Sequence, residues 1–585
     1  MPIIFTFEFH THSITSMMTK SLTLATLLFS SVVFGAASLT WSPCGTNLDC
    51  TTLSVPLEYS LSSNSTANAT IAIVRYNATV SSARRLGSLL VNPGGPGASG
   101  HSFVHAGAGA AISIITGGFY DIIGWDPRGV GRSTPSLQCF PTAEEEYAFS
   151  KALPGSPNIW LGMFSNSSYD NQVTAEITSF DAAVAKLAHA CVAQNSVALY
   201  TSSAAYVSRD MAAIVDAVDG EDAKLNYWGF SYGTIFLAEF IQAFPARVGR
   251  VVADGVVDPQ ANAVTYKSQL PNDQASVRDA LNDFISFCEG AGLNCPLSIP
   301  PPGITTTLSQ RIDDLFENLF FNPIDYFGTP INLDSLNVFM WSFIRVPVTW
   351  SLVATIIQGL EVRNATLLVN LVSSQAAGAP TDSTAPGVGT QSEFPLTCMD
   401  NAASSSITIR EVIELTKSIS VEENTPFLSA GLTPISFCRN FPDTRPLLRV
   451  AGISCMFNAD SVLSASNTTI LIVNPAHDPS TPLISAKKLR SLLPNSSKLA
   501  VRSGPGHTSV SLASLSLSQA IHDFFVSGTV PVDEVYHDTD QNLFPTGSGG
   551  SIVAAASFNG TSYSQEETNI LEATYSVLLA FLAIA

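Results

Sequence analysis

Few of the 585 residues are charged, and basic residues are fewer than acidic residues. Only 13% of residues are charged, 46% are hydrophobic, and the mean hydropathy is +0.25. This composition excludes an acidic disordered chain, which needs many charges and few apolar residues. The 27 Lys and Arg residues against 47 Asp and Glu residues give a net charge of −20. We therefore expect no nucleic-acid partner, because phosphate backbones are bound by clustered basic side chains.

Motifs of two other protein classes are also missing. The 38 Gly and 34 Pro residues follow no period, which excludes a collagen-like fibre. No CxxC or HExxH spacing occurs, so the sequence predicts no zinc site.

Neither terminal apolar run reaches the about 20 residues that a membrane-spanning helix needs. Residues 22–34 form a mostly apolar run that follows Lys20 and precedes the small residues 35–38. This layout is typical of a signal peptide, which we predict over residues 1–37. It indicates a secreted, extracellular protein.

The C-terminal apolar run, residues 575–585, allows two interpretations. It follows Asn559 and a polar spacer, an order that loosely matches a glycosylphosphatidylinositol (GPI) signal and would attach the protein to the cell surface or cell wall. The alternative is a terminus that is frayed or docked on the core. The Gly and Ser residues after Phe544 indicate a flexible stalk.

The cysteines and the Asn-x-Ser/Thr triplets agree with secretion. Nine cysteines fit an oxidising compartment. Three pairs are disulfide candidates: Cys44 with Cys50, Cys139 with Cys191, and Cys288 with Cys295. Cys398, Cys438 and Cys455 remain, so one cysteine is odd and the connectivity stays open. The triplets predict a glycoprotein and start at Asn64, Asn68, Asn77, Asn166, Asn364, Asn467, Asn495 and Asn559.

Short apolar runs alternate with helix-like stretches from about residue 54 onward. This alternation is typical of an α/β protein with a mostly parallel sheet and helices on both faces. The predicted strands are 71–75, 88–92, 120–125, 225–228, 248–253, 469–473 and 498–501. The predicted helices between them are 206–218, 234–244, 483–493 and 511–526.

The alternation stops after Pro259 and resumes only near residue 440. The intervening part contains amphipathic stretches at 276–289, 308–320 and 349–359, and a Gly/Ser/Thr/Ala-rich linker at 373–391. We interpret it as a helical insertion that caps one edge of the sheet. The predicted division is a signal peptide (1–37), a first core part (38–259), a helical cap (260–440), a second core part (441–530) and a tail (531–585).

The strongest chemical signal is Gly-Phe-Ser-Tyr-Gly at residues 229–233, which follows a predicted strand and opens a predicted helix. This context is what a G-x-S-x-G nucleophile elbow requires. The two glycines leave room in a sharp turn, and the helix N-terminus favours a developing anion. Ser231 is therefore the candidate nucleophile.

A serine hydroxyl needs a base, and the base needs an acid that orients it. His507 lies in a Gly-rich loop just after the strand at 498–501, and Asp478 follows the strand at 469–473. The order Ser231, Asp478, His507 is that of the α/β-hydrolase fold. The other readings are that Asp478 starts a turn and His507 is a plain loop residue. His522 and His537 are rival candidates for the base, and His477 is a neighbour of Asp478 rather than a participant in the reaction.

An acyl-transfer site also needs donors aimed at the oxyanion. Residues 92–97, Asn-Pro-Gly-Gly-Pro-Gly, follow the strand at 88–92 and let backbone N–H groups approach a ligand. We predict that the N–H groups of Gly95 and Tyr232 form the oxyanion hole. The plain turn is the alternative. This chemistry requires no metal and no organic cofactor.

These motifs together resemble secreted α/β-hydrolases of the tripeptidyl aminopeptidase-like group, which is related to proline iminopeptidases. The resemblance runs from about residue 41 to 526, and Pro93 stands where iminopeptidases carry a His before Gly-Gly-Pro-Gly. The segments that carry it are 92–100, 124–133, 227–234, 253–259, 474–481 and 504–507, with 397–400 and Cys438 resembling the group's C-terminal part.

The resemblance implies a serine aminopeptidase that releases short peptides or residues from free N-termini. Such an enzyme must bind the substrate ammonium group, so it implies an acid near the cleft, with Asp400 favoured over Glu239 and Asp254. An esterase acting on small or lipid-like esters is the first alternative. A non-enzymatic cell-wall protein on a hydrolase fold is the second.

Overall fold

A computed structural model gives the structure of the chain. It describes residues 39–59, 66–152, 157–195, 197–377, 390–401, 406–424, 428–441, 456–545, 558 and 563–584. The predicted signal peptide, Asn64, Asn559, Cys455 and most of the predicted linker at 373–391 lie outside the described residues.

Ten strands form the main sheet, and a separate hairpin supplies two more. In chain order the strands are β1 (Ser42–Gly45), β2 (Leu48–Pro56), β3 (Asn68–Tyr76), β4 (Gly87–Asn92), β5 (Tyr120–Trp125), β6 (Leu225–Phe230), β7 (Val248–Asp254), β8 (Ile324–Tyr326), β9 (Thr329–Ile331), β10 (Ile470–His477), β11 (Ser497–Pro505) and β12 (Val535–His537). The main sheet has the order β1-β2-β3-β5-β4-β6-β7-β10-β11-β12, and β8 pairs with β9. The pairs from β5 through β12 are parallel, whereas β1, β2 and β3 pair antiparallel at one edge.

The burial of the strands explains this arrangement. Every residue of β5 and β6 except Asn226 is buried, as expected of strands covered by helices on both faces. In β2, exposed and buried residues alternate near its C-terminal end, as expected of a strand with one face towards solvent. The carboxyl ends of the parallel strands meet at one edge, where α/β sheets place their ligands.

The helices in chain order are α1 (Gly100–Phe103), α2 (Gly109–Ile115), α3 (Ala143–Ala152), α4 (Asp170–Gln194), α5 (Ala198–Thr201), α6 (Ala204–Asp219), α7 (Gly233–Ala243), α8 (Pro259–Val264), α9 (Tyr266–Gln274), α10 (Val277–Ala291), α11 (Leu308–Phe321), α12 (Leu333–Ile344), α13 (Trp350–Glu361), α14 (Thr366–Ala377), α15 (Thr390–Asp400), α16 (Ile409–Glu422), α17 (Leu428–Asn440), α18 (Met456–Ala465), α19 (Leu483–Leu492), α20 (Leu515–Ser527) and α21 (Gln565–Ile584).

The predicted α/β fold class is confirmed, and so are all seven predicted strands and the seven predicted helices, whose ends differ by a few residues. The sequence prediction missed β1, β2 and β12 at the two edges of the sheet. It also missed α4, the longest helix described. Edge strands carry a mixed polar pattern, which gives a weaker signal than the continuous apolar runs of the centre.

The helical cap contains two apolar clusters. One cluster contains residues of the five consecutive helices from α10 through α14 and surrounds Trp350. The other contains residues of α9, α15, α16 and α17, together with residues of α4. Because α4 precedes Ser231, a segment that we assigned to the first core part also packs with the cap. The predicted domain boundaries stay predictions.

The C-terminal helix α21 packs on the sheet side that carries α1, α2 and α20. Phe581 contacts the rings of Phe103 and Phe230, with centroids 4.7 and 5.2 Å away. Among the described residues, α21 is also the one helix long and apolar enough to cross a membrane. The docked alternative for the C-terminus therefore has structural support, while the GPI signal stays a prediction.

The structure forms the three candidate disulfides and adds a fourth, Cys398–Cys438, within the cap. Six of the predicted glycosylation sites are described. The side-chain amide of Asn77 donates a hydrogen bond to the Asp49 carboxylate, and that of Asn495 donates one to the Asp460 carboxylate. The remaining four are exposed: Asn68, Asn166, Asn364 and Asn467. These four leave the amide nitrogen most accessible to a glycosyl donor.

Candidate active site

Ser231 occupies a sharp turn between β6 and α7. Its φ is +53°, a left-handed conformation that a non-glycine residue adopts only under constraint. Its backbone N–H donates to the Asp254 carbonyl at 2.9 Å, which ties the turn to β7. A Cβ on Gly229 would lie 2.3 Å from the Tyr227 ring, so this position accepts only glycine. The predicted nucleophile elbow has the expected strand–turn–helix geometry.

Asp478 and His507 meet at the ends of β10 and β11. The His507 Nδ1 lies 3.0 Å from both carboxylate oxygens. The carboxylate also accepts hydrogen bonds from the backbone N–H groups of Ser480, Thr481 and Thr508 and from the Thr481 hydroxyl. Burial alone would raise the pKa of Asp478, but the His507 imidazole and these N–H donors lower it below its ordinary value. The acid is therefore held ionised beside the imidazole.

The cap also helps to hold the base. The His507 backbone N–H donates at 2.8 Å to the carbonyl of Arg345, which follows α12. Within the part of the chain that the structure describes, no hydrogen bond joins the Ser231 hydroxyl to His507. Such bonds are often long or poorly aligned until a substrate is bound.

The loop that follows β4 lies directly on the nucleophile elbow. A Cβ on Gly94, whose φ is +95°, would lie 2.7 Å from the Tyr232 nitrogen and 3.0 Å from the Ser231 Cβ. The backbone N–H groups of Gly95 and Tyr232 donate to no acceptor among the described residues. Two such donors next to the nucleophile are what an oxyanion hole requires.

Asp400, our favoured amine anchor, lies on α15 next to the elbow. Its Oδ2 accepts from the Tyr232 hydroxyl at 2.6 Å, and its Oδ1 accepts from the Ala204 N–H at 2.8 Å. Of the other two candidates near the elbow, Asp254 is buried and Glu239 is half-buried, and the Glu239 Oε2 has no hydrogen-bond partner among the described residues. Burial, and then the Asp400 charge, raise the pKa of Glu239 to about 8. Asp254 binds the Ser509 N–H and hydroxyl and the Trp228 indole, and burial raises its pKa to about 6.

Two carboxylates from the cap, Asp273 on α9 and Glu393 on α15, were missed by the sequence prediction. Burial raises the pKa of both. The Asp273 carboxylate accepts hydrogen bonds from the side chains of Tyr266 and Gln269, and the Asp478 charge adds to the rise of its pKa. Glu393 interacts electrostatically with Tyr266. Neither forms an ion pair within 4 Å among the described residues. No local motif marks either residue, because packing of distant helices brings them to the site.

Glu393 also adjoins the oxyanion loop. A Cβ on Gly97 would lie 2.6 Å from the Ser392 hydroxyl and 3.2 Å from the Glu393 nitrogen. Arg345 partly offsets the effect of burial on the Glu393 pKa. Asp273, Glu393 and Arg345 are all partly exposed. Charged groups from the cap therefore lie close to the serine site.

The rival histidines have other partners. His477 Nδ1 lies 2.6 Å from Asp283 on α10, and this carboxylate raises the His477 pKa. His522 contacts the Ile115 carbonyl at 2.9 Å, and His537 contacts the Ser516 hydroxyl at 3.0 Å. These contacts agree with our interpretation that none of the three acts as the base.

Two family models match the chain. One is described as alpha/beta hydrolase fold and covers residues 87–291, and the other is described as TAP-like protein and covers residues 456–537. Ser231 lies in the first match, and Asp478 and His507 lie in the second. Together the two matches support a TAP-like α/β-hydrolase.

Three curated relatives illustrate the range of the similarity. The serine protease Hip1 of Mycobacterium tuberculosis (strain H37Rv) is 28% identical over 291 residues, 47% of this chain and 50% of Hip1. The tripeptidyl aminopeptidase of Streptomyces coelicolor is 30% identical over 246 residues, 41% of this chain and 42% of that protein. Carboxylesterase B of M. tuberculosis (strain H37Rv) is 26% identical over 487 residues, 82% and 85% of the two chains. The chain thus spans half or less of the length of the two peptidases.

Proposed function

We propose that this chain is a serine hydrolase that acts through an acyl-enzyme on Ser231. The Ser231 Oγ attacks the substrate carbonyl carbon while His507 Nε2 takes the hydroxyl proton. His507 then gives that proton to the leaving amine or alcohol. Water repeats the attack on the ester and releases Ser231. The contact of 3.0 Å between His507 Nδ1 and Asp478 supports this assignment, because it orients the imidazole and stabilises its charged form.

The oxyanion of each tetrahedral intermediate would accept hydrogen bonds from the N–H groups of Gly95 and Tyr232. Their lack of other acceptors and the closeness of Gly94 to Ser231 support this role. No step uses a metal or an organic cofactor. An intact arrangement of this kind favours an enzyme over a non-enzymatic cell-wall protein.

We further propose that the substrate is a peptide with a free N-terminus, from which a residue or a short peptide is released. The observation that carries this proposal is the pair Asp273 and Glu393, two partly exposed carboxylates without an ion-pair partner among the described residues. The ammonium group of a free N-terminus would supply the positively charged partner that these carboxylates lack among the described residues. The relatives named serine protease Hip1 and tripeptidyl aminopeptidase agree with a peptide substrate.

The direct test combines turnover with covalent labelling by a fluorophosphonate. The wild-type protein should hydrolyse peptide anilides and label at Ser231, and Ser231→Ala should lose both properties while keeping its melting temperature. Ser342→Ala is the matched control and should keep both, because the hydroxyl of this half-buried residue of cap helix α12 donates to the Val338 carbonyl of the same helix. Undiminished turnover in Ser231→Ala would refute the mechanism.

An esterase is the second candidate function. The relative named carboxylesterase B matches the largest share of this chain among the three described above. Small or lipid-like esters would use the same Ser231 chemistry but would not need Asp273 or Glu393. Equal kcat/KM for esters and for free-amine peptides, with no effect of Glu393→Gln, would favour this alternative.

Secretion, glycosylation and a GPI anchor also remain proposals. Four disulfides support an oxidising, extracellular location. The mature N-terminus and the glycan masses of the secreted protein, measured by mass spectrometry, would test the first two. Release of the protein from cells by a GPI-specific phospholipase would test the third.

A further inference from the structure

The cap helix α15 reaches both loops that carry the oxyanion donors. Its first turn places Ser392 and Glu393 against Gly97 of the loop after β4. Its last residue, Asp400, accepts a hydrogen bond from the Tyr232 hydroxyl at 2.6 Å. The Cys398–Cys438 disulfide links the same helix end to α17. One element of the cap thus contacts the two backbone segments that must be aligned for catalysis.

The orientation of Tyr232 matters both at its backbone and at its side chain. Its backbone N–H is a proposed oxyanion donor, and its side chain is 3% exposed and stacks edge-on with Phe236 at 5.7 Å. The preceding residue, Ser231, has the constrained φ of +53°. Such a conformation persists only where the surroundings hold it from several sides. On the sheet side the Asp254 carbonyl holds the Ser231 N–H.

We propose that Asp400 is a positioning residue of the oxyanion hole, which holds Tyr232 from the cap so that the Tyr232 N–H points at the developing oxyanion. This inference rests on the proposed serine hydrolase function. It replaces the amine-anchoring role that the sequence predicted for Asp400. Both oxygens of Asp400 already accept hydrogen bonds from the protein, one from Tyr232 and one from the Ala204 N–H.

A positioning role and an anchoring role predict different kinetics. Misalignment of an oxyanion donor weakens an interaction made mainly in the transition state, so it lowers kcat for every substrate and leaves KM nearly unchanged. Loss of an amine anchor raises KM only for substrates with a free N-terminus. The two roles also differ in whether the Tyr232 hydroxyl matters.

The experiment measures kcat and KM of Asp400→Asn, Tyr232→Phe and the double variant on a tripeptide anilide and on its N-acetyl form. We expect each single variant to lose about 10-fold in kcat on both substrates, less than the about 10²- to 10³-fold caused by deleting a donor. The double variant should be no worse than the single variants, because both changes break the same hydrogen bond.

Tyr206→Phe is the matched control. The buried Tyr206 hydroxyl donates to the Glu58 carboxylate, also at 2.6 Å, but it does not adjoin the nucleophile. Its loss should leave kcat unchanged. If Asp400→Asn does not fold, Tyr232→Phe alone decides, since it removes a single oxygen atom.

Three results would overturn the inference. They are wild-type kcat in Tyr232→Phe, additive losses in the double variant, and a rise in KM confined to the free-amine substrate in Asp400→Asn. In each case Ser231 would still react with a fluorophosphonate, so the proposed function would stand. Absence of labelling in the wild-type protein would instead refute the proposed function, and the inference with it.

Discussion

Asp478 at the end of β10 and Glu393 on the cap helix α15 are carboxylates of the same cleft, yet their pKa values shift in opposite directions. The interior supplies Asp478 with His507 and four further donors, and its pKa is lowered. Burial dominates at Glu393, with the more distant Arg345 as a partial offset, and its pKa is raised. The Asp478 carboxylate is thus fully occupied by His507 and its other donors, whereas Glu393 forms no ion pair within 4 Å among the described residues and can accept an incoming cation. We therefore propose that the sheet edge carries out the chemistry and that the cap selects the substrate.

The largest effect should come from Asp478→Asn. Removal of this charge leaves the imidazole without its orienting acid, so we expect kcat to fall about 10⁴-fold. The loss should be equal for free-amine and N-blocked substrates, as measured by steady-state kinetics. A loss confined to one substrate class would place Asp478 in selection and would break the comparison.

Asp254 tests the effect of burial, because burial raises its pKa although its carboxylate accepts three hydrogen bonds. Its folded pKa of about 6 lies above the ordinary value of 3.8, so the stability it contributes is complete below about pH 4 and is lost as the pH rises through about 6. The destabilisation caused by Asp254→Asn should therefore shrink between pH 4 and pH 8, by about 3 kcal/mol.

The Asp478 pKa is lowered, so the contribution of Asp478 has the opposite sign. It is present above the ordinary pKa and is lost as the pH falls. Urea unfolding provides the measurement, for Asp254→Asn between pH 4 and pH 8 and for Asp478→Asn as the pH falls below about 4. Parallel pH dependences in the two variants would contradict the account.

The cap carboxylates should control substrate choice rather than rate. Glu393→Gln and Asp273→Asn should each raise KM for a free-amine tripeptide anilide about 10-fold, about 1.4 kcal/mol of binding free energy. KM for the N-acetyl form should stay unchanged. Glu411→Gln is the control, because this cap carboxylate is exposed and paired with Lys267 at 2.8 Å. Equal losses on both substrates would assign Glu393 and Asp273 a structural role.

The pH dependence of KM should show the smallest effect. Because burial raises the pKa values of Asp273 and Glu393, these carboxylates gain charge only at a pH above the ordinary carboxyl range, and KM for free-amine substrates should fall several-fold as they do so. Above about pH 8 the substrate α-amine loses its proton, and KM should rise again. KM for N-acetyl substrates should be flat. The same flat profile for both substrates would argue for the esterase alternative.

The sequence alone predicted the sheet edge well and the cap poorly. Ser231, Asp478 and His507 each follow a buried apolar run, so a local pattern marks where each must lie. Asp273 and Glu393 reach the cleft only because α9 and α15 pack with α17 and α4. Their neighbours in sequence carry no signal of that packing. The role of Asp400 depends on a contact with Tyr232, 168 residues away, and it could not be read locally.

The central claim, that the serine site acts on peptides with a free N-terminus, is tested most directly by one ratio. This ratio is kcat/KM of the protein for a tripeptide anilide over that for its N-acetyl form, measured with Ser231→Ala as the blank. The account predicts a ratio well above 10 that falls towards 1 in Glu393→Gln. A ratio near 1 in the wild-type protein, with Ser231 active, would contradict it.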